Sequence, residues 1–136
     1  FAPEQHLGTV ADILRAKNQK VVLADPEDSL KSVIAQMSSL GISQMPMTIG
    51  KGDLRMIEEL DILRAVAGGE YSLQDSAREI ARPLQGQIEP TQTLDHVQRI
   101  FEDNNVAIVV DAGEIVGVVN KIDLLEFFTR KNRQTA

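Results

Sequence analysis

The chain has 136 residues, 43% of them apolar, and a formal net charge of −6, which suits one domain or two small lobes sharing a core. No apolar run approaches a membrane span, the acidic balance argues against nucleic-acid binding, and one Tyr with no Trp leaves no platform for stacking bases. The absence of cysteine excludes disulfides, thiolate catalysis and cysteine-ligated zinc.

The opening FAPEQHLGTV carries no secretory pattern and no methionine, and reads as a cut from a longer protein. Thr9 then starts TVADIL, a capping box with Asp12 whose apolar face is Val10, Ile13 and Leu14. A short strand is predicted over Val21–Leu23, followed by the turn DPEDSL. Leu30, Val33, Ile34, Met37 and Leu40 recur at helical spacing until Gly41. Two strands follow, Gln44–Thr48 and Leu54–Ile57, around the loop IGKGD, and the second feeds the helix ELDILRAVA.

After GGEY the same order returns. SLQDSAREI repeats the leading helix with Asp75 in the reciprocal capping position, and Ile88 stands for the short strand. Leu94, Val97, Ile100 and Phe101 form the next helical face, stopped at Asn104 or Asn105. Strands Ala107–Val110 and Ile115–Val119 flank the loop DAGE and run into KIDLLEFFTR. A period of roughly 60 residues marks an internal duplication, with residues 1–71 as the first repeat and 72–136 as the second. Each half alone is short of core material, so the halves are expected to pack through their sheets. The unbroken apolar run AIVV fits a strand covered on both faces.

Asp61 and Asp123 fall at matching strand-to-helix junctions. An acidic residue in a first helical turn complements the exposed N–H groups there. The functional reading is a carboxylate that accepts from the two hydroxyls of a ribose diol. Asn120 adds an amide three residues earlier, and Val118 and Ile122 offer branched surface for a planar base. The first junction, RMIEELDIL, departs from this, with Arg55 in place of glycine and Glu58 in place of Asn120. Glu58 would repel an anionic ligand unless Arg55 or a metal offsets it, so the two sites are expected to be unequal.

Other groups lack such a context. His6 and His96 have no acid–base partner at suggestive spacing, and no metal or catalytic set is identified. Asp25, Glu27 and Asp28 read as a helix entrance, and Gly50 and Gly52 as hairpin glycines rather than a phosphate loop. Lys121 is unfavourably placed at a helix start, which leaves phosphate contact or a solvent-facing position open. Adjacent Phe127 and Phe128 divide between capping the core and meeting a partner subunit.

GVVNKIDLLEFF, paired with PEDSLKSVIAQMSSLGISQMPM including Gly41 and Pro46, resembles the tandem CBS-domain pair, or Bateman module, over essentially the whole chain. Asn120 stands where that family usually has Thr or Ser. The second repeat and the AVAGGEYSLQDSAREI bridge also resemble the C-terminal regulatory region of cystathionine β-synthases. The resemblance implies an α+β fold of two β-α-β-β-α repeats packed through their sheets with pseudo-two-fold symmetry. It implies a non-catalytic, cytoplasmic regulatory module, homodimeric and bound to neither membrane nor nucleic acid. That module would control its own upstream pyridoxal-phosphate-dependent domain, the only place for that cofactor. The implied ligand is S-adenosylmethionine or AMP, ADP or ATP, held by Ile42, Ser43, Gln44 and Met45 opposite Val118, Asn120, Ile122 and Asp123. A weaker second site would use Glu58, Leu60 and Asp61 with Asn105, Val106 and Ala107.

Overall fold

The computed structural model describes residues 8–135, so His6 and the first residues of the opening stretch lie outside it. The elements are α1 (Val10–Lys17), α2 (Leu30–Leu40), β1 (Gln44–Gly50), β2 (Asp53–Glu58), α3 (Glu59–Ala67), β3 (Arg82–Pro83), β4 (Gln87–Ile88), α4 (Leu94–Val97), β5 (Val106–Asp111), β6 (Glu114–Asn120) and α5 (Lys121–Thr135). They make an α+β fold of two βαββα-like repeats, each centred on a three-stranded sheet, β1-β2-β3 and β4-β5-β6.

The duplication is visible in the registers. Gln44 pairs with Glu58 and Pro46 with Met56, while Val106 pairs with Asn120 and Ile108 with Val118. Pro46 therefore takes the place of Ile108, and Arg55 that of Gly117. In the second repeat β4 joins β5 in parallel, with the Ile108 N–H donating to the Gly86 carbonyl at 2.9 Å. Pro46 has no N–H to give. The strand expected over Val21–Leu23 accordingly does not form, and that stretch is tied to β1 through the Ala24 N–H and the Pro46 carbonyl, 2.9 Å.

The leading segments also differ. Thr9 caps α1 as expected, with Asp12 accepting from its N–H at 2.9 Å. The Ser72 N–H does donate to Asp75, 2.8 Å, but the bond closes a turn; a single 3-10 turn follows at Ala77–Glu79 where a helix was expected. The helical face at Leu94 is α-helical only to Val97 and continues as a 3-10 segment, Gln98–Glu102. Asn104 ends it as expected, its side-chain amide donating to the Ile100 carbonyl at 3.0 Å. In the second hairpin both turn residues, Ala112 and Gly113, have positive φ (52° and 80°), the requirement of a type I′ turn that matches the strand twist.

The chain packs as two units whose limits differ from the repeat boundary. The central unit is Val22–Leu84; the other joins the N-terminal segment up to Val21 with everything from Gln85 onward. Each leading segment serves the other repeat. The Leu94 N–H bonds to the Gly8 carbonyl and the Val10 N–H to the Gln92 carbonyl, while Leu30 N–H bonds to Asp75 O and Ala77 N–H to Asp28 O. The central core gathers Leu30, Val33, Met37, Met45, Met47 and Ile57 around Ala77. The terminal core sets Val10 and Ile13 of α1 against Leu94, Val109, Val119 and Leu124. Five of the six residues of β5 are buried, as the AIVV run suggested. Phe127 and Phe128 both pack against this core, because an apolar helix stripe wider than about 100° accommodates neighbours in sequence.

Gly117 fixes how α1 sits on β6. A Cβ built there would lie 2.5 Å from Leu14 Cδ2 and 3.3 Å from Leu14 Cδ1, closer than carbon atoms pack. The missing side chain is the notch that receives Leu14.

Candidate functional site

Strand β6 passes into α5 without a loop, so Asn120 is both the last strand residue and the residue before the helix. Its side-chain oxygen accepts from the Asp123 N–H at 2.8 Å, and Asp123 Oδ2 accepts from the Asn120 N–H at 2.9 Å. This reciprocal cap satisfies a backbone donor at the helix start and fixes the carboxylate. The structural role of Asp123 and the functional one thus coexist, because Oδ1 accepts no hydrogen bond from the described residues.

A third partner comes from 106 residues away. Lys17, the last residue of α1, places Nζ 2.9 Å from Asp123 Oδ2 and donates to the Val118 carbonyl at 2.7 Å. The two side chains are 22% and 13% exposed, so the pair is half shielded from water. A cavity of about 210 Å³ opens beside it. Its apolar wall is Ile13, Ala16 and Phe127; its polar wall adds Gln19, Glu126 and Arg130 to the ion pair. Val118 is half-buried, and Ile122 is 55% exposed on the outer face of α5.

The matching junction in the central unit is built alike and then closed. Asp61 Oδ2 accepts from the Glu58 N–H at 3.1 Å. Arg82 of β3 sets Nε 3.0 Å from Asp61 Oδ1 and 3.1 Å from Oδ2, and donates from its terminal nitrogen to Glu58 at 3.1 Å. The group that offsets Glu58 is therefore Arg82; Arg55, the residue expected there, pairs with Asp53 at 2.9 Å across the strand start. That pair holds the Asp53 carboxyl below its ordinary value of 3.8, chiefly through the hydrogen bond from Arg55.

The remaining expected residues divide by unit. Ile42, Ser43, Gln44 and Met45 lie at the start of β1 in the central unit. Ser43 Oγ donates to the Gln44 side-chain oxygen at 2.9 Å, and the Met45 side chain is fully buried in the core, leaving only its backbone for other contacts. Leu60 is 46% exposed. Asn105 is exposed, whereas Val106 and Ala107 are buried in β5. Neither Lys17 nor Arg82 was recognised from sequence, since each reaches its partner through tertiary packing with no local spacing to betray it.

No catalytic constellation is assembled. Among the described residues no group of three or more His, Asp or Glu side chains could hold a metal ion, and no helix is long and apolar enough to cross a membrane. Asp25 accepts from the Glu27 N–H at 2.9 Å in the loop before α2, and Glu27 pairs with Arg78. His96 and Lys121 are exposed.

The CBS-domain family model matches residues 78–130, which hold β3 to β6 and most of α5. Solved structures match nearly the whole chain. A CBS-domain-containing protein of Agrobacterium tumefaciens is 23% identical over 87% of this chain and 97% of its own, with a TM-score of 0.73. A protein with CBS domains from Burkholderia ambifaria is 25% identical over 87% and 91%, TM-score 0.73. CBSX2, solved in complex with AMP, is 15% identical over 93% and 99%, TM-score 0.74. The fold is that of a CBS-domain pair. These similar structures are other CBS-domain proteins, and they lend no support to the narrower resemblance to cystathionine β-synthase. Within the CBS-domain pair, the strand-to-helix junctions at Glu58–Asp61 and Asn120–Asp123 are the equivalent points of the two repeats.

Proposed function

We propose that this CBS-domain pair is a ligand-sensing regulatory module, without chemistry of its own, that takes an adenine nucleotide or related adenosyl ligand at the Asp123 end. One observation carries the reading. The Asp123 carboxylate is shielded, held by the helix cap, and still has Oδ1 free to accept from a ribose hydroxyl beside a cavity. CBSX2, which shares the fold, was solved with AMP, and that supports a nucleotide over an empty scaffold. The structures compared above favour a parent other than a pyridoxal-phosphate enzyme; S-adenosylmethionine remains the rival ligand. The Asp61 end, whose carboxylate is engaged by Arg82, is the weaker site.

Titration calorimetry with AMP, ADP, ATP and S-adenosylmethionine tests this. At least one should give a saturable heat, and Asp123→Asn, which preserves shape, should weaken it tenfold or more with the circular dichroism unchanged. Absence of binding by all four refutes the sensor. A dimer is the second part of the proposal. Leu60 and Leu63 on α3 are 46% and 63% exposed, and Ile122 and Leu125 at the matching places on α5 are 55% and 57% exposed. Apolar residues left in solvent at the same two positions of both repeats suit self-association. Sedimentation should show a dimer that Leu63→Glu with Leu125→Glu dissociates; a monomer at all concentrations would refute it.

A further inference from the structure

The geometry points to Lys17 as the residue that sets the charge of the ligand: the Asp123 site takes an anionic nucleotide and discriminates against a cationic adenosyl ligand. This rests on the reading of Asp123 as a diol acceptor. It goes further by assigning the ligand's charge class to a residue outside the strand-to-helix signature.

Asp123 Oδ2 already accepts from the Asn120 N–H and from Lys17 Nζ, while Oδ1 is open. The first hydroxyl of a diol can bond to Oδ1. A second hydroxyl must share or take the position on Oδ2 that Lys17 occupies, because the Asn120 bond belongs to the helix cap. Lys17 cannot leave the site when this happens. It is the last residue of a helix whose Val10 and Ile13 are buried in the terminal core, and its ammonium also holds the Val118 carbonyl. A displaced ammonium therefore stays within a few ångströms of the bound sugar, without its former counter-ion.

The surroundings decide which ligand relieves that state. Arg130 lines the same cavity, so once the diol engages Asp123 two cations face the remaining ligand atoms against the single carboxylate of Glu126. A phosphate supplies the missing negative charge. A sulfonium or ammonium adds a third positive charge in a half-shielded place, where interactions over such distances are several times stronger than in bulk water. The chain as a whole carries −6 and would favour a cationic ligand, so a preference for phosphate isolates the local cations. The central unit shows the contrast: Arg82 engages both Asp61 and Glu58, a clasp with more bonds to break than the single Lys17 contact on Asp123.

Calorimetry on the whole chain with adenosine, AMP and S-adenosylmethionine tests the assignment, using wild type and Lys17→Met. In wild type AMP should bind at least tenfold more tightly than adenosine, and adenosine more tightly than S-adenosylmethionine. Lys17→Met should bring the AMP-to-adenosine ratio near one, leave adenosine as tight or tighter, and improve S-adenosylmethionine. A measurement without any variant guards against a folding defect: between about 50 mM and 500 mM salt, AMP binding should weaken severalfold while adenosine binding stays constant. If adenosine binds but the ratio survives in Lys17→Met, or AMP is insensitive to salt, the role of Lys17 is refuted and the sensor stands. If none of the three binds wild type, the sensor falls and this inference with it.

Discussion

Replacing Gly117 by alanine tests whether the signature glycine serves packing. The new Cβ would lie 2.5 Å from Leu14 Cδ2, 3.3 Å from Cδ1 and 3.5 Å from Cγ. Relief to an ordinary contact near 3.5–4.0 Å requires Leu14 to move by roughly 1 Å or more. Because three atoms of that side chain crowd the same point, one rotation cannot clear them without lifting Leu14 from the terminal core it packs against. Overpacking of this kind costs about 1–3 kcal/mol. Alanine in a strand interior returns about 0.5–1 kcal/mol over glycine through the unfolded chain. The expected net loss is about 1–2 kcal/mol. Urea unfolding, with the slope checked for constancy, measures it. Leu14→Ala removes the clashing atoms, so the double variant should be more stable than the sum of the single losses by about 1 kcal/mol or more. The control is Arg55→Gly at the matching position of the first repeat. It creates a strand glycine with no helix to receive and should destabilise by about 0.5–1 kcal/mol. If Gly117→Ala is neutral or stabilising, or its effect adds simply to that of Leu14→Ala, the notch is not what holds α1.

Ala112 occupies a left-handed turn position at φ 52°, which disfavours a side chain by about 1–2 kcal/mol. Ala112→Gly or Ala112→Asn should therefore raise the thermal midpoint, and a fall would show that another turn geometry operates. Asp53 offers a pH prediction. Its folded value lies below the ordinary one because Arg55 donates to it, so its contribution to stability is present above the unfolded value and is lost as pH falls through the folded value. Carboxyl NMR should place its midpoint below 3.8, and Arg55→Gln should move it back up. No movement would dismiss the pair.

The repeat architecture and the main elements were legible because they depend on local patterning. Alternation and apolar runs define β1, β2, β5 and β6; helical spacing defines α2; and the strand-to-helix junctions at Glu58 and Asn120 are written in neighbouring residues. The reciprocal cap of Asn120 and Asp123 is likewise a three-residue relation. Sequence periodicity was silent about Pro46, whose missing N–H matters only once its place opposite the preceding segment is known, and that absence removes the expected strand at Val21–Leu23. It was equally silent about which leading segment serves which core, since the swap of α1 and the Ala77–Glu79 turn between repeats is a matter of packing.

The amino-acid sequence by itself determined where the two carboxylates stand, because helix caps are made between residues three apart. Only the tertiary structure decided what faces them. Lys17 approaches Asp123 from 106 residues away and Arg82 approaches Asp61 from 21. Long flexible side chains carry no periodic signal of their destination, and charge pairs of this kind are chosen by the fold after the cores of α1, β3 and their sheets have formed.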